Sequence, residues 1–231
     1  MILSVRDACE VHEHVKRADP APEIDDLIEA LAAAAVSSEA AAEFFLTNHI
    51  TGGMRLLLDL GFRRLAGKGE QASFVLSQAM GGGKTHMMIA LGLLAQLPTL
   101  RRRILAEAGL PDEFDGAARV VAITGRRNPS HYLWGEIAAQ LKKPEAFRRF
   151  WAEGPRAPDE SDWKELLGTE PTLIMFDELP GWFDYAIVQQ VGGGTLANVA
   201  RYALANLFEA ARKTGNTCIV RSEERRVGKE C

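Results

Sequence analysis

The sequence is short of the features that mark membrane and secreted proteins. Its longest strongly apolar run, Met87–Ala95, is far shorter than the roughly 20 residues that a membrane-spanning helix needs. The first residues lack the basic start and apolar block of a signal peptide. The 3 cysteines are scattered along 231 residues, which argues against a disulfide framework and favours a reducing compartment. We therefore expect a cytoplasmic protein without membrane contacts.

Neither sign of charge dominates. Lys and Arg number 27 and Asp and Glu 31, for a formal net charge of −4, which argues against a protein covered by a basic nucleic-acid surface and leaves a local basic patch open. The content of 47% hydrophobic residues is typical of a globular protein with a sizeable core. Cys9, His12 and His14 are too few, at the wrong spacing, for a zinc site.

The C-terminal segment, residues 221–231, is rich in charged residues and is considered separately from the rest of the chain. It reads RSEERRVGKEC, which resembles the translation of a widely used sequencing adapter over its whole length. The alternative is a charged, solvated helix end. We expect an artefactual tail, with the natural sequence departing from this one near Val220 and the gene continuing beyond it.

The rest of the chain divides into a helical N-terminal segment, residues 1–68, and an α/β core, residues 69–220. Apolar spacing predicts helices at 23–36, 39–46 and about 53–66 in the first part. In the second part it predicts strands at 73–77, 119–124, 172–176 and from 217, with helices at about 84–97, 132–151, 161–167 and 196–213. This alternation predicts a parallel sheet covered by helices on both faces.

The strongest motif is SFVLSQAMGGGKTH, residues 73–86. A strand, a glycine-rich turn, Lys-Thr and a helix are typical of a P-loop, in which backbone N–H groups and the helix N-terminus surround phosphates. Lys84 would reach the β- and γ-phosphates, and Thr85 would ligate Mg²⁺. Gln78 stands where the usual pattern has its first glycine, and the alternative is a glycine hinge before a helix. The predicted nucleotide-binding residues are Met80, Gly81, Gly82, Gly83, Lys84, Thr85 and His86.

A second motif, LIMFDE at residues 173–178, places two carboxylates at the end of an apolar strand. Ligands of open α/β sheets bind at the carboxyl ends of the strands. Asp177 would hold Mg²⁺, and Glu178 would polarise the attacking water. Lys84 and Glu178 are therefore the predicted catalytic residues. The alternative is a strand followed by two solvated acids.

Four weaker signals have mainly structural interpretations. The segment Arg126–Asn128 is expected to be a solvated loop, with contact to phosphate or nucleic acid as the alternative. The segment Gly192–Thr195 is expected to be a flexible loop, with Thr195 capping the next helix. His86 is expected to pack or cap. The run Arg101–Arg103 is expected to complement a helix C-terminus.

Residues from about 40 to 220 resemble the N-terminal ATPase part of large bacterial predicted ATPases of the AAA+ superfamily, domain of unknown function family 499. The segments EFFLTNHITGG at 43–53 and MGGGKTH at 80–86, with the pair Asp177–Glu178, carry the resemblance. It implies an AAA+-like P-loop NTPase fold, ATP and Mg²⁺ as cofactors, and a machine often encoded beside restriction-like or phage-defence genes. DNA or defence-system proteins would be its partners through further domains, and the full-length protein would be a candidate homo-oligomer. Sensor, arginine-finger and lid residues would follow residue 220, and none is assigned.

The expected function is Mg²⁺-dependent ATP hydrolysis by an ATPase core. Two alternatives remain open: a nucleotide-gated protein- or DNA-binding module without turnover, and a P-loop kinase. No guanine-reading Asn-Lys-x-Asp string is present, which leans toward ATP without deciding against GTP.

Overall fold

The structure is a computed structural model that describes residues 38–77 and 83–223. The predicted helix at 23–36, the loop residues Met80–Gly82, the group Cys9, His12 and His14, and the end of the predicted tail lie outside the described residues. The helices are α1 (Ser38–Thr47), α2 (Gly52–Leu65), α3 (Lys84–Gln96), α4 (Pro98–Glu107), α5 (Tyr132–Gln140), α6 (Pro144–Phe147), α7 (Glu160–Leu167), α8 (Leu179–Ala186) and α9 (Leu196–Thr214). The strands are β1 (Ser73–Leu76), β2 (Arg119–Thr124), β3 (Thr172–Asp177), β4 (Gln190–Val191), β5 (Gly194–Thr195) and β6 (Thr217–Ser222).

Four strands form a parallel sheet in the order β1-β6-β3-β2. Since all neighbours run the same way, the four carboxyl ends lie at one edge, and the predicted parallel sheet is confirmed. The register of β2 on β3 pairs Thr124 with Asp177, and β6 lies between β1 and β3. This order brings the ends of β3, β2 and β6 together beside the helix that follows β1.

The core consists of two layers of buried side chains, one on each face of the sheet. Successive residues of a strand point to opposite faces, and the two core clusters divide along this alternation. Leu173 and Met175 pack with α2, α3 and α4 on one face, whereas Ile174 and Phe176 pack with α5, α7, α8 and α9 on the other. All six residues of β3 are buried, as expected for a central strand of a sheet covered on both faces.

Helix α2 of the N-terminal segment packs in the same core as the sheet. Its buried residues Leu58, Phe62 and Leu65 belong to the cluster that contains Met88 of α3 and Val220 of β6. Arg64 of α2 is buried beneath them, and it donates to the carbonyl oxygens of Thr217 (2.9 Å), Gly69 (2.8 Å) and Ala211 (2.6 Å). Burial lowers the pKa of Arg64 below its usual value. This side chain ties α2 to α9 and β6.

The region after β2 differs from its prediction. The helix expected over 132–151 is broken: α5 ends at Gln140, and α6 starts at Pro144 because proline fits the first turn of a helix and not its interior. A 3₁₀ turn, Arg148–Phe150, completes the segment.

Two further differences concern α4 and the segment after β3. Pro98 ends α3 and also begins α4, which the sequence pattern did not predict. Arg101 donates to the carbonyl of Leu94 in the last turn of α3 (3.3 Å), as expected of a residue that complements a helix C-terminus, but it is buried rather than exposed, and it also binds the Asp112 carboxylate (3.0 Å) and donates to the carbonyl of Phe114. The segment expected to be a flexible loop at 192–195 belongs instead to the two-stranded hairpin β4–β5.

Among the residues that the structure describes, no helix is long and apolar enough to cross a membrane.

Candidate functional site

The two sequence motifs meet at the carboxyl edge of the sheet. Thr85 lies in the first turn of α3, and its Oγ1 donates a hydrogen bond to Asp177 Oδ2 at the end of β3 (2.9 Å). The two residues are 92 positions apart in the chain. The fold therefore places a hydroxyl and a carboxylate side by side where ligands of parallel sheets bind.

The start of α3 is built on a glycine. Gly83 is the N-cap residue, with φ 73° and ψ 19°, a left-handed conformation that costs a residue with a Cβ about 1 kcal/mol or more. The first bond within the helix runs from the N–H of Met87 to the oxygen of Gly83 (3.0 Å). The backbone amides of the first turn of α3 therefore have no acceptor inside the helix and point toward its N-terminus. Lys84 begins the helix at this point.

Asp177 is a buried carboxylate surrounded by hydroxyl groups. It is only 5% exposed, and Ser222 Oγ donates to its Oδ1 while Thr85 donates to its Oδ2. These two donors are neutral hydroxyl groups, so neither of them brings a positive charge to offset the buried carboxylate. Ser222 lies in the segment expected to derive from an adapter, so this contact is a property of the present chain.

Glu178 is held in an unusual backbone conformation. Its φ of 53° and ψ of 34° lie in the left-handed region, which is uncommon for residues other than glycine. Gly125, directly after β2, lies against it: a Cβ at Gly125 would be 1.9 Å from the Glu178 carbonyl oxygen. The Gly125 N–H also donates a hydrogen bond to the backbone carbonyl oxygen of Asp177 (2.7 Å). Gly125 therefore fixes the turn that presents both carboxylates.

The Glu178 side chain forms a two-pronged ion pair with Arg126. Arg126 Nε donates to Oε2, and Arg126 Nη2 donates to Oε1 (3.0 Å). The side chains are 57% and 36% exposed, respectively. The segment Arg126–Asn128 is an exposed loop, as predicted, and Arg126 in addition pairs with the carboxylate predicted to act on water. The buried Thr124 shapes this loop by accepting a hydrogen bond from the Arg126 N–H (3.2 Å).

A cavity of about 360 Å³ lies beside this loop, at the outer edge of β2. Its lining includes Arg127 and Asn128, and also the polar residues His131, Glu136 and Gln140, which contact one another. The Glu136 carboxylate is hydrogen-bonded to His131 Nε2 (2.9 Å) and accepts a hydrogen bond from Gln140 Nε2 (2.8 Å). The Gln140 amide also bonds both backbone groups of Ala122, at 2.9 Å each. The Gln140 amide therefore pairs backbone groups that would otherwise be unpaired at the edge strand β2.

His86 and Thr195 follow their structural predictions. His86 is half-buried in the first turn of α3, its ring lies 6.2 Å from that of Phe44, and burial lowers its pKa. Thr195 caps α9 in a reciprocal capping box with Asn198.

Sequence reasoning missed Gly125 and the pairing of Arg126 with Glu178. The signal for Gly125 was a glycine directly after a buried strand, where backbones can approach closely.

Among the described residues, no group of three or more His, Cys, Asp or Glu could hold a metal ion.

Residues 3–105 match the model of the DUF499 N-terminal domain. The predicted resemblance to domain of unknown function family 499 is thus confirmed for the part of the chain that ends in α4. The matched segment starts earlier than the expected residue 40, and Asp177 and Glu178 lie outside it. No curated protein and no solved structure matches the chain.

Proposed function

We propose that this chain is a nucleotide-binding core that hydrolyses ATP with Mg²⁺, the function expected of a P-loop ATPase. The observation that carries the proposal is the hydrogen bond between Thr85 Oγ1 and Asp177 Oδ2 at the N-terminus of α3. A hydroxyl and a carboxylate at the start of a helix that follows a glycine-rich turn are the groups that a metal–triphosphate complex requires.

The donor set fits Mg²⁺. Thr85 and Asp177 offer hard oxygen ligands, and the buried carboxylate has only hydroxyl donors around it in the described residues. Mg²⁺ is commonly held by one or two carboxylates and by phosphate oxygens, so a larger cluster of acidic side chains is not needed. When bound, the ion would neutralise charge on the phosphates. Thr85 and Asp177 would hold it.

The phosphate chain would lie over the first turn of α3. Outward-pointing amides and the helix dipole favour anions at this end. Lys84 is the first residue of the helix and directly precedes Thr85 in the chain. We assign Lys84 to the β- and γ-phosphates.

Glu178 would orient and polarise the attacking water beside Asp177. Both of its carboxylate oxygens accept hydrogen bonds from Arg126. Because both oxygens are occupied, the pair has to open before Glu178 can hold the water. The exposed position of both side chains allows this, because an exposed ion pair is worth only about 0–1 kcal/mol.

Calorimetric titration with Mg-ATP and a phosphate-release assay test the proposal. Lys84→Ala should weaken Mg-ATP binding about tenfold or more, since it removes a charged contact to phosphate. Lys68→Ala is the control, because Lys68 is an exposed lysine paired with Glu113 (3.3 Å). Glu178→Gln should leave binding intact and lower phosphate release by about 100-fold or more.

The same experiment separates the alternatives. Equal binding by the Lys84 variant and the wild type would refute the phosphate site. Unchanged phosphate release by Glu178→Gln would refute the catalytic role and favour a nucleotide-gated module. Transfer of labelled phosphate to an acceptor other than water would identify a kinase.

A further inference from the structure

The C-terminal turn of α1 contacts the first turn of α3. The rings of Phe44 and His86 have centroids 6.2 Å apart and planes tilted by 31°. Phe45 packs edge-on against Phe44, with centroids 5.2 Å apart. Phe44, Phe45 and His86 are all half-buried. An aromatic surface from the N-terminal segment therefore lies directly beside the proposed phosphate site.

The directions of two neighbouring side chains define where a bound nucleotide would run. Thr85 points to Asp177 and the sheet. His86 follows it by one residue, which is about 100° around an α-helix, and its ring faces Phe44. The γ-phosphate belongs at the Asp177 side in the proposed site. The base end of the nucleotide must then extend from the helix N-terminus away from Asp177. On the His86 side it would meet the aromatic ring of Phe44.

The chemistry of this pair suits a nucleobase. Every base has a π-face that can stack on an aromatic side chain, without a requirement for a particular hydrogen-bond pattern. The imidazole and phenyl rings together form an aromatic surface, whereas Thr85 faces the Asp177 carboxylate.

We propose that Phe44 and His86 form a base platform, the surface on which the nucleobase of the bound nucleotide stacks. This inference rests on the proposed function and deepens it. It makes the ligand a nucleoside triphosphate rather than a bare polyphosphate. It also makes α1, which precedes the sheet in the chain, part of the nucleotide site.

Calorimetric titration with two ligands, Mg-ATP and Mg-tripolyphosphate, tests the platform. Tripolyphosphate has the phosphate chain and lacks the base. Phe44→Leu keeps an apolar side chain and removes the aromatic face. It should weaken Mg-ATP about tenfold, within the range known for base stacking on aromatic residues, and change Mg-tripolyphosphate less than twofold. Phe45→Leu is the matched control, on the same helix and equally half-buried, and should leave both affinities within twofold.

The outcomes separate the platform from the phosphate site. The platform would be overturned if Phe44→Leu lost affinity equally for both ligands, or if its affinity for Mg-ATP were unchanged. The same loss in Phe45→Leu would also overturn it, because the effect would then come from the packing of α1. If the wild type binds Mg-tripolyphosphate as tightly as Mg-ATP, the platform fails while the phosphate site stands. If the wild type binds neither, the proposed function fails and the platform with it.

Discussion

Gly125 offers the sharpest test of how the backbone presents Glu178. In Gly125→Ala the new Cβ would lie 1.9 Å from the Glu178 carbonyl oxygen, 2.6 Å from its carbonyl carbon and 2.9 Å from Leu179 Cα. All three neighbours are backbone atoms, so no flexible side chain can move aside. Ordinary van der Waals contact begins at 3.4 Å, so the carbonyl oxygen must retreat by about 1.5 Å. Glu178 already has a left-handed backbone, which restricts the ways it can move.

The expected effect on function is larger than the effect on stability. Overpacking costs about 1–3 kcal/mol, whereas domains are stable by about 5–15 kcal/mol, so Gly125→Ala should fold with a lower free energy of unfolding. A misplacement of about 1 Å at a catalytic group can cost about 100-fold in rate. We therefore expect phosphate release to fall by about 100-fold while Mg-ATP affinity stays within a few-fold. Urea unfolding and single-turnover phosphate release measure the two quantities.

Gly181 supplies the matched control. A Cβ at Gly181 would meet only the Gly125 oxygen at 3.5 Å, an ordinary contact, and Gly181 lies in α8. Gly181→Ala should be neutral or stabilise the protein by up to about 1 kcal/mol, since alanine favours helix. If Gly125→Ala unfolds at the same urea concentration as Gly181→Ala and releases phosphate at the wild-type rate, the close approach of Gly125 to Glu178 is not what positions the carboxylate.

Three further predictions concern single side chains. Arg126→Ala should change the free energy of unfolding by less than about 1 kcal/mol, because the ion pair with Glu178 is exposed, and it should raise basal phosphate release severalfold; a lower rate would mean that Arg126 assists the reaction. Thr195→Ala should cost about 1 kcal/mol in urea unfolding by removing the cap shared with Asn198, whereas Thr195→Ser should restore stability, and equal stability of the two variants would contradict a capping role. The Cys218 thiol is fully buried and its pKa is raised to about 12, so iodoacetamide at pH 8 should label it only after denaturation, as peptide mapping would show; rapid labelling of the folded chain would contradict its burial.

Local sequence patterns were sufficient to predict most strands of the sheet and the polar residues at its carboxyl edge. Strand β2 was predicted with its observed bounds, because a run of β-branched and apolar residues between turn signals is a local property. Asp177 and Glu178 were recognisable as the polar end of an apolar strand for the same reason. The break between α5 and α6 was missed although Pro144 marks it, because the apolar spacing on both sides continued to resemble one helix.

Long-range contacts could not be read from the sequence, because they depend on strand order and close backbone approach. The parallel sheet, and the position of Asp177 and Glu178 at the end of β3, were determined by the sequence itself, through the order of apolar and polar segments. Only the tertiary structure decided that Thr85 meets Asp177, that Gly125 leaves no room beside Glu178, and that Arg126 occupies both oxygens of that carboxylate. Each of these pairs joins segments more than 50 residues apart, and no local preference encodes which strand ends become neighbours.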